Sequence, residues 1–197
     1  MTMNGYEKRA QLKKDNIMAA TLELLKTTSA QAMRIADIAS AAGVSQVTIY
    51  NYFGSKEVLV REVFITYIRK TITDFEAFME AEHSLKEKIE YIIFQKKESS
   101  RTFGLQMMKQ VWLEDPVLAK FVHEEYLARG IPMVIKLIED GKKAGEISEK
   151  ISTSTIMMYM QMMTNQADTM IAHAEKHNNM DTVIEEMVHL FFNGVRS

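Results

Sequence analysis

The 197-residue sequence has no cysteine, two prolines, eight glycines and one tryptophan. Without cysteine there is no disulfide framework, thiolate zinc site or thiol nucleophile. With so little proline and glycine, and with apolar residues recurring at spacings of three and four, the chain is expected to be all-α. Long apolar runs are missing too. Ile156–Met163 is the longest, about half of what a bilayer crossing needs. The start of the chain is polar and basic, with no apolar segment of a secretory leader. A cytoplasmic protein with no membrane partner is expected.

Catalytic motifs are equally scarce. There is no glycine-rich phosphate loop and no nucleophile elbow, so no enzyme and no cofactor are expected. His173 and His177 lie four apart on a helical stretch, but the zincin pattern needs a Glu directly after the first His, and here Glu175 comes one place later. These histidines are expected to be solvated surface residues, and no metal site follows.

Charge is present but unevenly placed. Residues 1–70 contain ten Lys/Arg against six Asp/Glu, and residues 71–197 contain fourteen against twenty. A positive first third on an acidic remainder suggests that only the first part approaches a polyanion. Lys8, Arg9, Lys13 and Lys14 precede the first apolar periodicity, which suits either such an approach or a solvated, ragged terminus.

The stripes predict about nine helices. The first carries Ile17, Ala20, Thr21, Leu24 and Leu25. The second carries Ile35, Ile38, Ala39 and Ala42 and stops at Gly43. The third runs from Ser45 to Phe53–Gly54, and the fourth from after Ser55 towards Met79. Further helices are expected over 84–100, 102–113, 117–140 (kinked at Pro132), 152–176 and 181–195.

Residues 34–53 carry the most information. Ala39 is small where two helices would cross, and Gly43 permits the positive φ of a tight turn. Ser45 is a natural N-cap, and Val44 and Ile49 form a hydrophobic staple across it. With Ile49 and Phe53 turned inward, Gln46, Val47, Thr48, Tyr50, Asn51 and Tyr52 occupy the outer and flanking faces. Gln46 suits adenine, and Val47 and the Thr48 methyl suit a thymine methyl. The Thr and Tyr hydroxyls suit phosphate oxygens. Ser55 and Lys56 add a capped helix start and a cation.

Ile38, Ala39, Ala42, Gly43, Val44, Ser45, Thr48, Ile49, Tyr50, Tyr52, Phe53, Ser55, Lys56, Glu57 and Leu59 together resemble the TetR-family signature almost position for position. Chain length and helix number are similar as well. The resemblance implies DNA contacts by Gln46, Val47, Thr48, Tyr50, Tyr52 and Lys56. Where the family usually has a phosphate-touching Thr near the start of the second helix, this chain has Met33 and Arg34, so Arg34 becomes the charged substitute.

The other 120 or so residues are read by composition. Ile156, Met160, Met163, Ala167, Met170, Ile171 and Ala174 form one stripe, while Met158, Tyr159 and Met162 lie elsewhere on the same helix. The last helix is also broadly apolar. Helices apolar on several faces need cover on several sides, so a C2 homodimer through the helices at 152–176 and 181–195 is expected. Its interface candidates are Ile156, Met160, Met170, Ile171, Ile184, Met187, Val188 and Phe191. Of sixteen methionines, five fall within 157–163. Adaptable thioethers suit both irregular cores and variable ligands. The candidate pocket wall is Phe103, Met107, Trp112, Tyr126, Met133, Tyr159, Met162, Met163 and Gln166.

The expected protein has a helix-turn-helix DNA-binding domain over 1–55 and a helical regulatory and dimerisation domain over 56–197. Its expected function is that of a homodimeric repressor, released from a near-palindromic operator by a small apolar or amphipathic effector. Two other readings remain: a helical interaction protein that retains the motif, and a ligand-independent regulator.

Overall fold

A computed structural model of the chain describes residues 4–103, 115–166, 169, 176 and 179–195. The described residues form an all-helical protein: α1 (Gly5–Leu25), α2 (Ile35–Ala42), α3 (Gln46–Phe53), α4 (Lys56–Glu80), α5 (Leu85–Phe103), α6 (Pro116–Glu125), a π-turn (Tyr126–Gly130), α7 (Ile131–Lys143), α8 (Thr153–Asn165) and α9 (Met180–Val195). None of these helices is long and apolar enough to cross a membrane. Two compact units emerge, Met1–Ile72 with Thr102–His123, and Thr73–Arg101 with Glu124–Ser197.

The first unit is built around α1 to α4. Ile17, Thr21 and Leu25 of α1 are buried, with Ile35, Ile38 and Ala39 of α2, Ile49 and Phe53 of α3, and Leu59, Val60, Val63 and Phe64 of α4. Each fully covered aliphatic or aromatic side chain contributes about 1.5–3 kcal/mol through apolar burial. The Thr21 hydroxyl meets the demand for a partner by donating to the Ile17 carbonyl at 2.8 Å. Leu118 of α6 joins this core from far along the chain. Asp115 fixes α6 there: its carboxylate accepts from the Val117 and Leu118 N–H groups and from Arg61 Nε of α4, the last at 2.6 Å. Burial pushes the Asp115 carboxyl up, but Arg61 and those two N–H groups outweigh it and hold the group below the usual carboxylate range.

In the second unit Ile138, Ile147 and Ile156 form a buried cluster, joined by Leu85, Val134, Ile151, Met157, Met160 and Met163. Gly141 lets α7 approach this cluster closely, since a Cβ there would lie 2.8 Å from Ile147 Cδ1 and push that methyl aside. Ser84 and Glu87 close a capping box at the start of α5.

Two helices differ from the sequence reading, and α1 starts where no boundary is predicted. α1 begins at Gly5, twelve residues before its first buried side chain, because Asn4 accepts from the Tyr6 and Glu7 N–H groups while Glu7 accepts from the Asn4 N–H. α5 continues to Phe103 rather than ending at 100. The expected kinked helix over 117–140 is instead α6, a π-turn and α7. Pro132 supplies no N–H and its ring crowds the carbonyl four residues earlier, so the preceding turn widens. There the Ile131 N–H reaches the Tyr126 carbonyl.

Candidate nucleic-acid interface

The turn between α2 and α3 is made by local chemistry. Gly43 caps α2 at φ 64° and ψ 36°, a left-handed conformation that costs little only for glycine. The Val44 N–H returns to the Ala39 carbonyl at 3.0 Å. The Ser45 hydroxyl accepts from the Thr48 N–H at 3.1 Å and shares a hydrogen bond with the Thr48 hydroxyl at 2.8 Å. Val44 is half-buried, and Ile49 beneath it has no exposure.

This anchoring leaves the rest of α3 facing outward. Gln46 and Asn51 are exposed, Val47 is 67% and Tyr50 49% exposed, and Thr48 and Tyr52 are half-buried. No acidic residue occurs on α3. Gln46 and Tyr50 also line an open groove with Gln31, Met33, Arg34, Ile35, Ala36, Ser55, Lys56 and Glu57. Gln46, Tyr50, Arg34 and Lys56 thus come together on one groove. Val47, Thr48, Asn51 and Tyr52 belong to α3 but do not line it.

Two of the cations are not free point charges. Arg34, at the N-cap of α2, directs its guanidinium back onto Asp37, with contacts of 3.0 and 2.7 Å. That pairing raises the Arg34 pKa and lowers the Asp37 carboxyl. Lys56 Nζ donates to the carbonyls of Gln31 at 3.2 Å and Met33 at 3.0 Å, which ties the start of α4 to the loop before α2. The Ser55 hydroxyl caps α4 by accepting from the Val58 N–H. Glu57 is held below the usual carboxylate range by its own backbone N–H and by Ser55. Sequence reasoning missed Gln31, Ala36 and Glu57. The Lys56 anchor is made of backbone carbonyls, which leave no mark on residue type.

Residues 17–63 match the family model described as bacterial regulatory proteins, tetR family. Over those residues the chain resembles the N-terminal helix-turn-helix domain of that family. Among curated relatives, the regulator AlkX of Mycobacterium tuberculosis is 33% identical over 70 residues, which is 36% of this chain and 33% of that protein. The match thus spans about a third of AlkX. The regulator UidR of Escherichia coli is 21% identical over 154 residues, 77% of this chain and 78% of that one. The crystal structure of FadR from Bacillus subtilis in complex with stearoyl-CoA has a TM-score of 0.64 at 20% identity, covering 92% of this chain and 99% of that one. At that identity the likeness is one of fold.

The second unit of the chain contains a cleft of about 230 Å³. Met79, Ala128, Pro132, Met133 and Leu137 form its apolar lining, and Glu76, Glu80, Lys88, Arg129, Lys136 and Asp140 its charged one. Arg129 is engaged by both oxygens of Glu76 and by Glu125. Of the expected wall residues, Met133 lines this cleft. Tyr126, Tyr159, Met162 and Gln166 are exposed, and Met163 packs on the isoleucine cluster. Phe103 ends α5, while Met107 and Trp112 lie outside the described residues.

α8 turns Ile156, Met160 and Met163 towards the chain's own core, so Ile156 is covered without a partner. Met158, Tyr159 and Met162 face outward. Ile184, Met187, Val188 and Phe191 fall on α9, where Met187 and Val188 are half-buried. Met170, Ile171, His173 and His177 lie outside the described residues.

Proposed function

We propose that this chain is a homodimeric repressor whose two α3 helices enter successive major grooves of a near-palindromic operator, about one turn of DNA apart. The observation that carries this reading is the outward face of α3, held by the Gly43 turn and the Ser45 cap and free of acidic residues. Gln46 and Val47 read base edges. Thr48, Tyr50 and Tyr52 set register on phosphates, and Asn51 and Arg34 flank them. Lys56 serves both the loop before α2 and the phosphate backbone through its remaining N–H.

Dimerisation is assigned to the exposed face of α8, with Met158, Tyr159 and Met162, together with Met187 and Val188 on α9. A small amphipathic effector that binds one conformer better lowers DNA affinity by linkage. The mixed apolar and charged lining of the cleft beside Met133 supports an amphipathic ligand over a purely apolar one. The acyl-CoA held by the similarly folded FadR is consistent with that class. α4 runs from the first unit into the second and is the proposed lever.

The test is a gel shift with the DNA upstream of the protein's own gene. The wild-type chain should retard it, and Tyr50→Ala should weaken retardation while the protein stays dimeric. Equal retardation by both proteins would remove α3 from the reading surface.

A further inference from the structure

The first half of α1 is a helix that packs on almost nothing. From Asn4 to Asn16 only Ala10 and Lys14 are better than exposed, and Tyr6 and Leu12 are 76% and 63% exposed. The segment leaves the domain at Lys14, whose ammonium lies 5.3 Å from the Phe53 ring centroid at the end of α3 and 2.7 Å from Glu62. Beyond that point, residues 5–13 extend about 13 Å at helical rise, starting from the flank of the reading helix.

The charges on this arm are one-sided. Lys8, Arg9 and Lys13 fall within about 140° of one face at 100° per residue, and none makes an ion pair among the described residues. The two nearby acids are occupied elsewhere, Glu7 with the Asn4 N–H and Asp15 with the Gln11 amide. Arg9 and Lys13 stand four apart, a like-charge spacing that destabilises a helix and that nothing in the described chain offsets. Tyr6 and Leu12 sit about 120° apart on the helix, too far round to make the continuous apolar stripe that a lipid surface would require.

We infer that the Lys8–Arg9–Lys13 face of α1 is a second DNA contact, lying on phosphates that flank the operator half-site read by α3. This inference rests on the DNA-binding function proposed above. It adds affinity and salt dependence but no sequence preference, because phosphates are alike in every sequence.

The test compares the full-length wild type with Lys8→Gln/Arg9→Gln/Lys13→Gln in anisotropy titrations over a salt series. Each lost phosphate contact takes about 0.9 off the slope of log affinity against log salt, so a dimer losing one contact per arm loses about 2. Affinity for operator and for unrelated duplex should fall by similar factors, the operator footprint should shorten at both ends, and thermal melting should hold. Lys8→Arg/Lys13→Arg should retain the wild-type slope and shows that charge, not helix disruption, is responsible. An unchanged slope and footprint in the triple Gln variant would overturn the inference while leaving α3 as the reader. If the wild type binds no DNA in a salt-dependent way, the proposed function fails and this inference falls with it.

Discussion

Lys56 and Tyr50 border the same groove but differ in what else they hold. Lys56 ties α4 to the Gln31 and Met33 carbonyls, whereas Tyr50 projects its ring into solvent. Lys56→Ala should therefore lower both the melting temperature and the DNA salt slope, the latter by about 1 per phosphate contact. Tyr50→Ala should weaken DNA binding with the melting curve unchanged. Binding isotherms beside calorimetric scans would separate the two, and identical behaviour would contradict the double role of Lys56. Arg34 poses the reverse problem, because Asp37 already occupies its guanidinium. Asp37→Asn frees that cation and removes a negative charge from the interface. Affinity for operator and unrelated DNA should both rise, with some loss of the capping that Asp37 gives the start of α2. Weaker binding to both would place Arg34 outside the interface.

At the level of elements, what could be read from sequence was what short-range chemistry decides. Gly43, Ser45 and the Val44–Ile49 staple act within six residues, and the structure realises the left-handed turn and the hydroxyl cap at those positions. The first half of α1 has no apolar stripe and so gives no periodic signal, although the Asn4–Glu7 spacing is a capping-box signal. α8 was ambiguous for the opposite reason. It is apolar on more than one side, and periodicity alone does not say which side meets its own chain. The Asp115 clamp joins residues 54 apart and had no local signal at all. Its chemistry gives a pH dependence. A carboxyl lowered in the folded state adds stability above its unfolded value of about 3.9, and that stability is lost as pH falls through the lower folded value. Asp115→Asn should destabilise the protein at pH 7 by about 1–3 kcal/mol. Its stability should also fall less steeply than that of the wild type from pH 5 downward in denaturant titrations. Parallel pH profiles would show that the Arg61 pair contributes nothing.

For the whole molecule, the all-helical fold of the described residues and the likeness of residues 17–63 to the tetR family are established, and DNA binding, partner, effector and direction of regulation belong to the proposal. Dimerisation is the nearest of these to test. Met158→Glu/Met162→Glu puts two charges on the exposed face of α8 while sparing Ile156 in the core. Sedimentation should show monomers with unchanged helix content, and an intact dimer would move the interface away from α8. The charge balance of the chain, positive over residues 1–70 and negative beyond, fits a molecule that meets DNA with one unit only. The most direct test of that account is the affinity of the full-length protein for its own upstream DNA between about 50 and 200 mM salt. The account predicts a steep linear fall of log affinity with log salt, together with a preference for that DNA over unrelated duplex that Gln46→Ala reduces by about 1–3 kcal/mol. Affinity that is insensitive to salt, or equal for every duplex before and after the substitution, would contradict it.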